Sequence, residues 1–169
     1  PQMRAGNYSI ERGITPQQLL ERMLKGESLM EVVRITEGWT FKQMREALAQ
    51  APLLKATTKE MSDAQIMAAL GLPNTPPEGR FFPDTYAYSR GVSDLVVLKR
   101  AHGLLHQHLA EAWAQKAPDT PLKNDQEALI LASIVEKETG LAADRGRVAG
   151  VFVNRLRIGM PLQTDPTVI

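Results

Sequence analysis

Cysteine is missing from all 169 residues, which excludes a disulfide framework and any thiolate metal or redox centre. Charge of one sign is nearly missing too. Twenty Lys and Arg stand against 19 Asp and Glu, a net charge of +1, too little for the footprint of a polyanion binder. No apolar run reaches the ~18 residues of a membrane span, and Pro-Gln-Met-Arg at the start does not resemble a signal peptide. Pro1 opens the chain without an initiator Met and Ile169 closes it inside an apolar run, so both ends are expected to be cut. Aromatics are scarce, and four of the nine crowd into residues 73–91. A chain of this length can bury a real core as one domain or two small ones.

Residues 8–50 contain a repeat at an offset of 25: Ile10, Gly13, Thr15, Gln18 and Leu19 return as Ile35, Gly38, Thr40, Gln43 and Met44. Each copy reads as a short strand, a Gly turn and a capped helix. Strands are expected at Asn7–Ile10 and Met30–Thr36, the second from its β-branched residues. Helices are expected at Pro16–Lys25, stopped by Gly26, and Phe41–Gln50, each opened by a Thr-x-x-Gln capping box. A further short helix, Asp63–Leu70, is capped by Ser62 and Gln65. Such a unit suits either a small binding module or a structural subdomain.

Residues 73–91 hold four prolines and two glycines, which speak against regular structure. Their aromatics Phe81, Phe82, Tyr86 and Tyr88 either pack over a core or line a sugar-binding cleft. Asp94–Lys116 reads as a long helix. His102 and His106 stand at metal-ligand spacing on it, but Gly103 occupies the place of the zincin glutamate and no third ligand is in view. A hydrogen-bonded His102 in a helix interface is the expectation, with no metal. Asp144–Arg157 forms the last helix, with Val148, Val151, Phe152 and Leu156 inward. Arg145, Arg147, Arg155 and Arg157 scatter around it, which argues against nucleic-acid binding.

The stretch with the most chemistry is Asn124–Gly140. Asn124 is the N-cap, Glu127 completes a capping box and Gly140 is placed as the stop. The apolar run from Ala128 to Val135 predicts a helix buried on most sides. Leu131, Ile134, Val135 and Glu138 share one face by i, i+3, i+4, i+7 spacing. The helix end and desolvation against Ile134 and Val135 both penalise a charged Glu138, which predicts a raised pKa, the profile of a general acid. On that reading Glu138→Gln would also gain stability at neutral pH. Glu136, about 160° away, is the weaker candidate. A solvated helix-end glutamate paired with a basic side chain is the competing reading.

Three motifs in order, EGRFFPDTY (78–86), LASIVEKET (131–139) and VFVNRLRIGMPLQTDPTV (151–168), resemble the endolytic murein transglycosylases, a family of bacterial lytic transglycosylases. The resemblance covers essentially the whole chain and implies an α+β fold: a lysin-motif-like subdomain at residues 1–51, then a mostly helical catalytic portion at 52–169. It places the catalytic acid on Glu138, the second Glu of EKET, with no metal or cofactor. It also implies cleavage of the bond between N-acetylmuramic acid and N-acetylglucosamine in peptidoglycan glycan strands, leaving 1,6-anhydro ends. Tyr86, Asn154 and Gln163 are expected beside Glu138, because amides and phenols hydrogen-bond N-acetyl and hydroxyl groups. Further implications are peptidoglycan synthase complexes as partners and the periplasmic face of the inner membrane as location. The resemblance further implies a membrane anchor before this stretch and a further part of the catalytic domain after it, so the sequence is expected to be a fragment. A non-catalytic peptidoglycan-binding module is the alternative.

Overall fold

A computed structural model of the chain describes Gly6, residues 8–25 and residues 29–164. It is an α+β structure that divides into two compact units, residues 1–105 and 106–169. No helix among the described residues is long and apolar enough to cross a membrane.

In the first unit, helix α1 (Pro16–Lys25), strand β1 (Glu31–Arg34), helices α2 (Phe41–Gln50) and α3 (Asp63–Ala69), strand β2 (Thr85–Tyr88) and the start of α4 (Asp94–Ala114) follow in order. The caps form where the repeat puts them. The Thr40 hydroxyl accepts from the Gln43 backbone N–H at 3.3 Å, and Gln43 Oε1 accepts from the Thr40 N–H at 2.8 Å. Thr15 with Gln18, and Ser62 with Gln65, repeat the pattern. Gly13 and Gly38 occupy the same turn in both copies at φ +97° and +78°, a region that glycine enters without strain. The two copies still differ. The second strand pairs, whereas residues 8–10 are irregular; Asn7 and the expected stop at Gly26 lie outside the described residues.

The partner of β1 comes from the proline-rich stretch expected to lack regular structure. Thr85–Tyr88 runs antiparallel to β1, pairing Val33 with Tyr86 and Glu31 with Tyr88. Pro83 is the last of the four prolines, so TYAY is free to extend, and its alternation turns Tyr86 and Tyr88 inward and leaves Thr85 and Ala87 outside. Phe81 is buried as well and stacks on Phe41 with ring centroids 5.2 Å apart. This loop is therefore core, and β1 is closed only by residues far beyond position 51. Residues 1–51 are part of a unit that runs to Leu105.

Two polar side chains staple the connector after α2. Arg45 donates to the carbonyls of Thr58, Lys59 and Met61 and to the Asp63 carboxylate at 2.7 Å. From the other side Asp94, 1% exposed, accepts from the backbone N–H and hydroxyl of both Thr57 and Thr58. Glu78 reaches back to accept from the Phe41 N–H at 3.0 Å, which satisfies an orphan donor at the start of α2 with a favourable negative charge. His102 bonds the Arg80 carbonyl at 2.9 Å through Nδ1 and meets the Phe81 ring edge-on.

In the second unit, α5 (Asp125–Glu138) packs on α6 (Arg145–Arg157), which is led in by a 3₁₀ turn at Ala142–Asp144. Its core is small: Leu131, Ile134, Val135 and Phe152 are buried, with Leu122, Val148 and Leu162 packed against them. That corrects the expectation of a helix buried on most sides, since Ile130 is 60% exposed. It also corrects the inward set of α6: Val151 and Leu156 are exposed and Phe152 alone is buried. Asn124 caps α5 through the Glu127 N–H, but Glu127 returns its bond to the Lys123 N–H, one residue earlier than a capping box requires. The helix ends because Thr139 is extended, and Gly140 follows without a left-handed turn.

Candidate active site

Glu138 is the last residue of α5. Its stripe mates Leu131, Ile134 and Val135 face the core, as the spacing requires. The carboxylate stands one turn past that core and is exposed, so the desolvation expected against Ile134 and Val135 is not found. It lines a hollow of about 310 Å³ together with Val148, Val151, Phe152 and Arg155 of α6 and with Gln163 and Thr164 of the tail. Among the described residues that line it, Glu138 is the one carboxylate.

The cations that could have neutralised Glu138 are engaged elsewhere. Arg145 pairs with Glu136 at 3.0 Å, Arg147 lies 3.9 Å from Asp144, and Arg157 bonds Asp119. Arg155 donates to the carbonyls of Leu162 and Gln163. Among the described residues no cation stands within ion-pair distance of Glu138.

The other expected site residues are dispersed. Gln163 is in the hollow. Asn154 is exposed, does not line it, and accepts from Arg157 Nη1 at 3.5 Å. Tyr86 is buried in the core of the first unit, where its hydroxyl donates to the Phe82 carbonyl at 2.6 Å. Burial, with Asp84 nearby, pushes the Tyr86 phenol up to about 12. A phenol so shifted favours the folded state fully below its ordinary pKa of ~10, and that contribution fades as pH rises toward 12. Tyr86→Phe should cost roughly 1 kcal/mol in a denaturant titration. An unchanged midpoint would count against the bond of its hydroxyl to the Phe82 carbonyl.

Arg155 and Thr164 belong to the hollow but were not singled out by the sequence. Arg155 reads there only as one of four scattered charges.

The profile of the YceG-like family matches residues 1–169. The chain belongs to that family. A crystal structure of a YceG-like protein from Listeria monocytogenes is similar at a TM-score of 0.56 and 26% identity, covering 98% of this chain and 60% of that one. An endolytic murein transglycosylase of Bacillus subtilis is 27% identical over 98% of this chain, and one of Streptococcus pneumoniae 26% identical over 99%. The chain spans about half the length of the Bacillus relative and about a third of the Streptococcus one: 51% and 35%. In this YceG-like chain, Glu136 offers the direct control on the assignment of Glu138. If Glu138 is the acid, as the resemblance implies, Glu136→Gln loses only a half-exposed pair with Arg145, worth roughly 0–1 kcal/mol, and any glycan cleavage by the full-length protein should stay close to wild type. A dead Glu136→Gln with an active Glu138→Gln would move the acid to position 136.

Proposed function

We infer that the protein to which this chain belongs is an endolytic peptidoglycan lytic transglycosylase, a carbon–oxygen lyase with Glu138 as its acid and then its base. The observation that carries this reading is a hollow in the second unit with Glu138 as the one carboxylate among its described lining residues. Hydrolysis of a glycoside calls for two carboxylates; a lytic transglycosylase needs one. The protonated Glu138 would deliver its proton to the oxygen between N-acetylmuramic acid and N-acetylglucosamine as the bond to the muramoyl C1 breaks. The muramoyl O6 then attacks C1, its proton passes to the Glu138 carboxylate, and a 1,6-anhydro ring closes. The proton is returned and no water is consumed.

The relatives named endolytic murein transglycosylases support the same reading. Bound glycan, by covering the exposed carboxyl, would supply the desolvation that the free chain lacks. Peptidoglycan synthases as partners, the periplasmic face of the inner membrane as location and a lysin-motif-like role for the N-terminal residues belong to this proposal. Mass spectrometry of purified murein digested by the full-length protein tests it. Internal cuts ending in anhydromuramoyl residues are expected; reducing muramoyl ends would mean hydrolysis, and intact strands a binding module.

A further inference from the structure

Gln163 sits in the hollow of Glu138 with a backbone φ of +36°. That region is uncomfortable for a residue with a Cβ and costs about 1–3 kcal/mol unless its surroundings over-determine it. Here the surroundings do. Arg155 Nη1 donates to the Leu162 carbonyl and, at 3.4 Å, to that of Gln163. The same guanidinium lies 5.9 Å from the centroid of the Phe152 ring, itself buried between α5 and α6. On either side of Gln163 the chain is anchored: Leu162 packs against the core and Thr164 is buried.

These contacts sort consecutive side chains into different surroundings. Leu162 lines an apolar hollow with Leu122, Ile130 and Ile134, whereas Gln163 lines the polar one with Glu138. A slip of one residue would put the leucine beside the acid. We propose that Arg155 is a positioning residue of the reaction. It acts through Gln163, whose carboxamide meets an N-acetyl or hydroxyl group of the glycan next to the bond that Glu138 protonates. The inference rests on the transglycosylase reading and adds to it the device that sets this wall of the cleft. Arginine suits the task because a planar fork can serve neighbouring carbonyls while stacking on a ring, and the single ammonium of lysine cannot.

The test is a double-mutant cycle in the full-length protein, with purified glycan strands as substrate and thermal midpoints measured for every variant. Arg155→Lys and Gln163→Ala should each lower kcat about 10- to 100-fold, the size of a misplaced contact near the reacting bond, with KM little changed. The pair together should be no worse than Gln163→Ala alone, since both remove one function. Losses that multiply would overturn the inference. So would Arg155→Lys working like wild type, because charge alone would then suffice. A raised KM that depends on salt, with kcat intact, would also overturn it by making Arg155 a direct contact to an anionic group. Should either substitution prevent folding, Gln163→Asn enters the cycle: its shorter amide accepts the left-handed backbone, so it should keep the midpoint and still lose kcat. Glu138→Gln is run beside them. If it keeps its activity the transglycosylase reading falls; if it is dead while Arg155 and Gln163 do not couple, only the clamp falls.

Discussion

Glu138→Gln is expected to abolish release of anhydromuramoyl products while the protein stays folded. The amide preserves shape but neither donates nor recovers a proton. General acid–base catalysis by one group contributes about 10²–10⁴-fold, and here the same oxygen pair would serve both half-steps, so the loss should lie at the upper end. Stability should move by no more than about 0.5 kcal/mol, because the side chain is exposed and no cation among the described residues pairs with it. This replaces the stability gain expected of a desolvated carboxyl. Product mass spectrometry, thermal unfolding and pull-down on insoluble murein decide it together. Binding that survives while cleavage disappears is the expected combination. Residual cleavage of more than a few per cent, about the lower bound of the general-acid contribution, would remove Glu138 from its role.

Asp94→Ala should be the most damaging substitution for the fold of the first unit. Burial by itself pushes the Asp94 carboxyl up. Hydrogen bonds from the side chains of Thr57 and Thr58 and from the backbone N–H groups of Thr58 and Leu95 outweigh it and hold the group below its ordinary value. Removing the carboxylate strands the buried N–H and hydroxyl of Thr58, whereas the exposed Thr57 can turn to water and to Ser93; the loss should be on the order of 3–4 kcal/mol. Asp94→Asn should lose less, since its carbonyl oxygen can still accept while its amide meets donors. The pH dependence follows from the depressed pKa. An acid that ionises more easily when folded adds stability that is full above the unfolded value of ~3.9 and is lost as pH falls through the lower folded one. Urea titrations of wild type and Asp94→Ala should therefore lie far apart at neutral pH and converge on acidification below about pH 4. A gap that stays constant into the acid range would count against the hydrogen-bonded carboxylate as the cause.

Chain-local features were legible without a structure. The Thr15, Thr40 and Ser62 caps, the spans of α1 and α2, and the face shared by Leu131, Ile134, Val135 and Glu138 all depend on residues three or four positions apart. Hydrogen-bond geometry and helical pitch decide them before any distant segment arrives. The position of Glu138 at the helix end followed from the same logic, whereas the hydrogen bond of His102 is made to the Arg80 carbonyl 22 residues away and not across a helix interface. The strand Thr85–Tyr88 was hidden because the prolines of residues 73–91 outweighed a four-residue alternation, and a strand that short exists only when β1 lies beside it.

By itself, then, the sequence determined which segments coil, where they are capped and which carboxylate ends an apolar stripe. Tertiary structure decided what those stripes meet. It buried Tyr86 in a core, turned Glu78 into a cap for α2 from 37 residues away, and left Glu138 in the open where the apolar pattern promised burial. The reason is that burial belongs to pairs of surfaces. The core of α5 and α6 ends with Val135 and Phe152, and a residue one turn beyond the last partner stays wet, however apolar its own helix face. Gln163 shows the same limit, since its left-handed backbone is met by an arginine eight residues back in the chain and is flanked by a packed Leu162 and a buried Thr164, contacts that no local pattern of residue types announces.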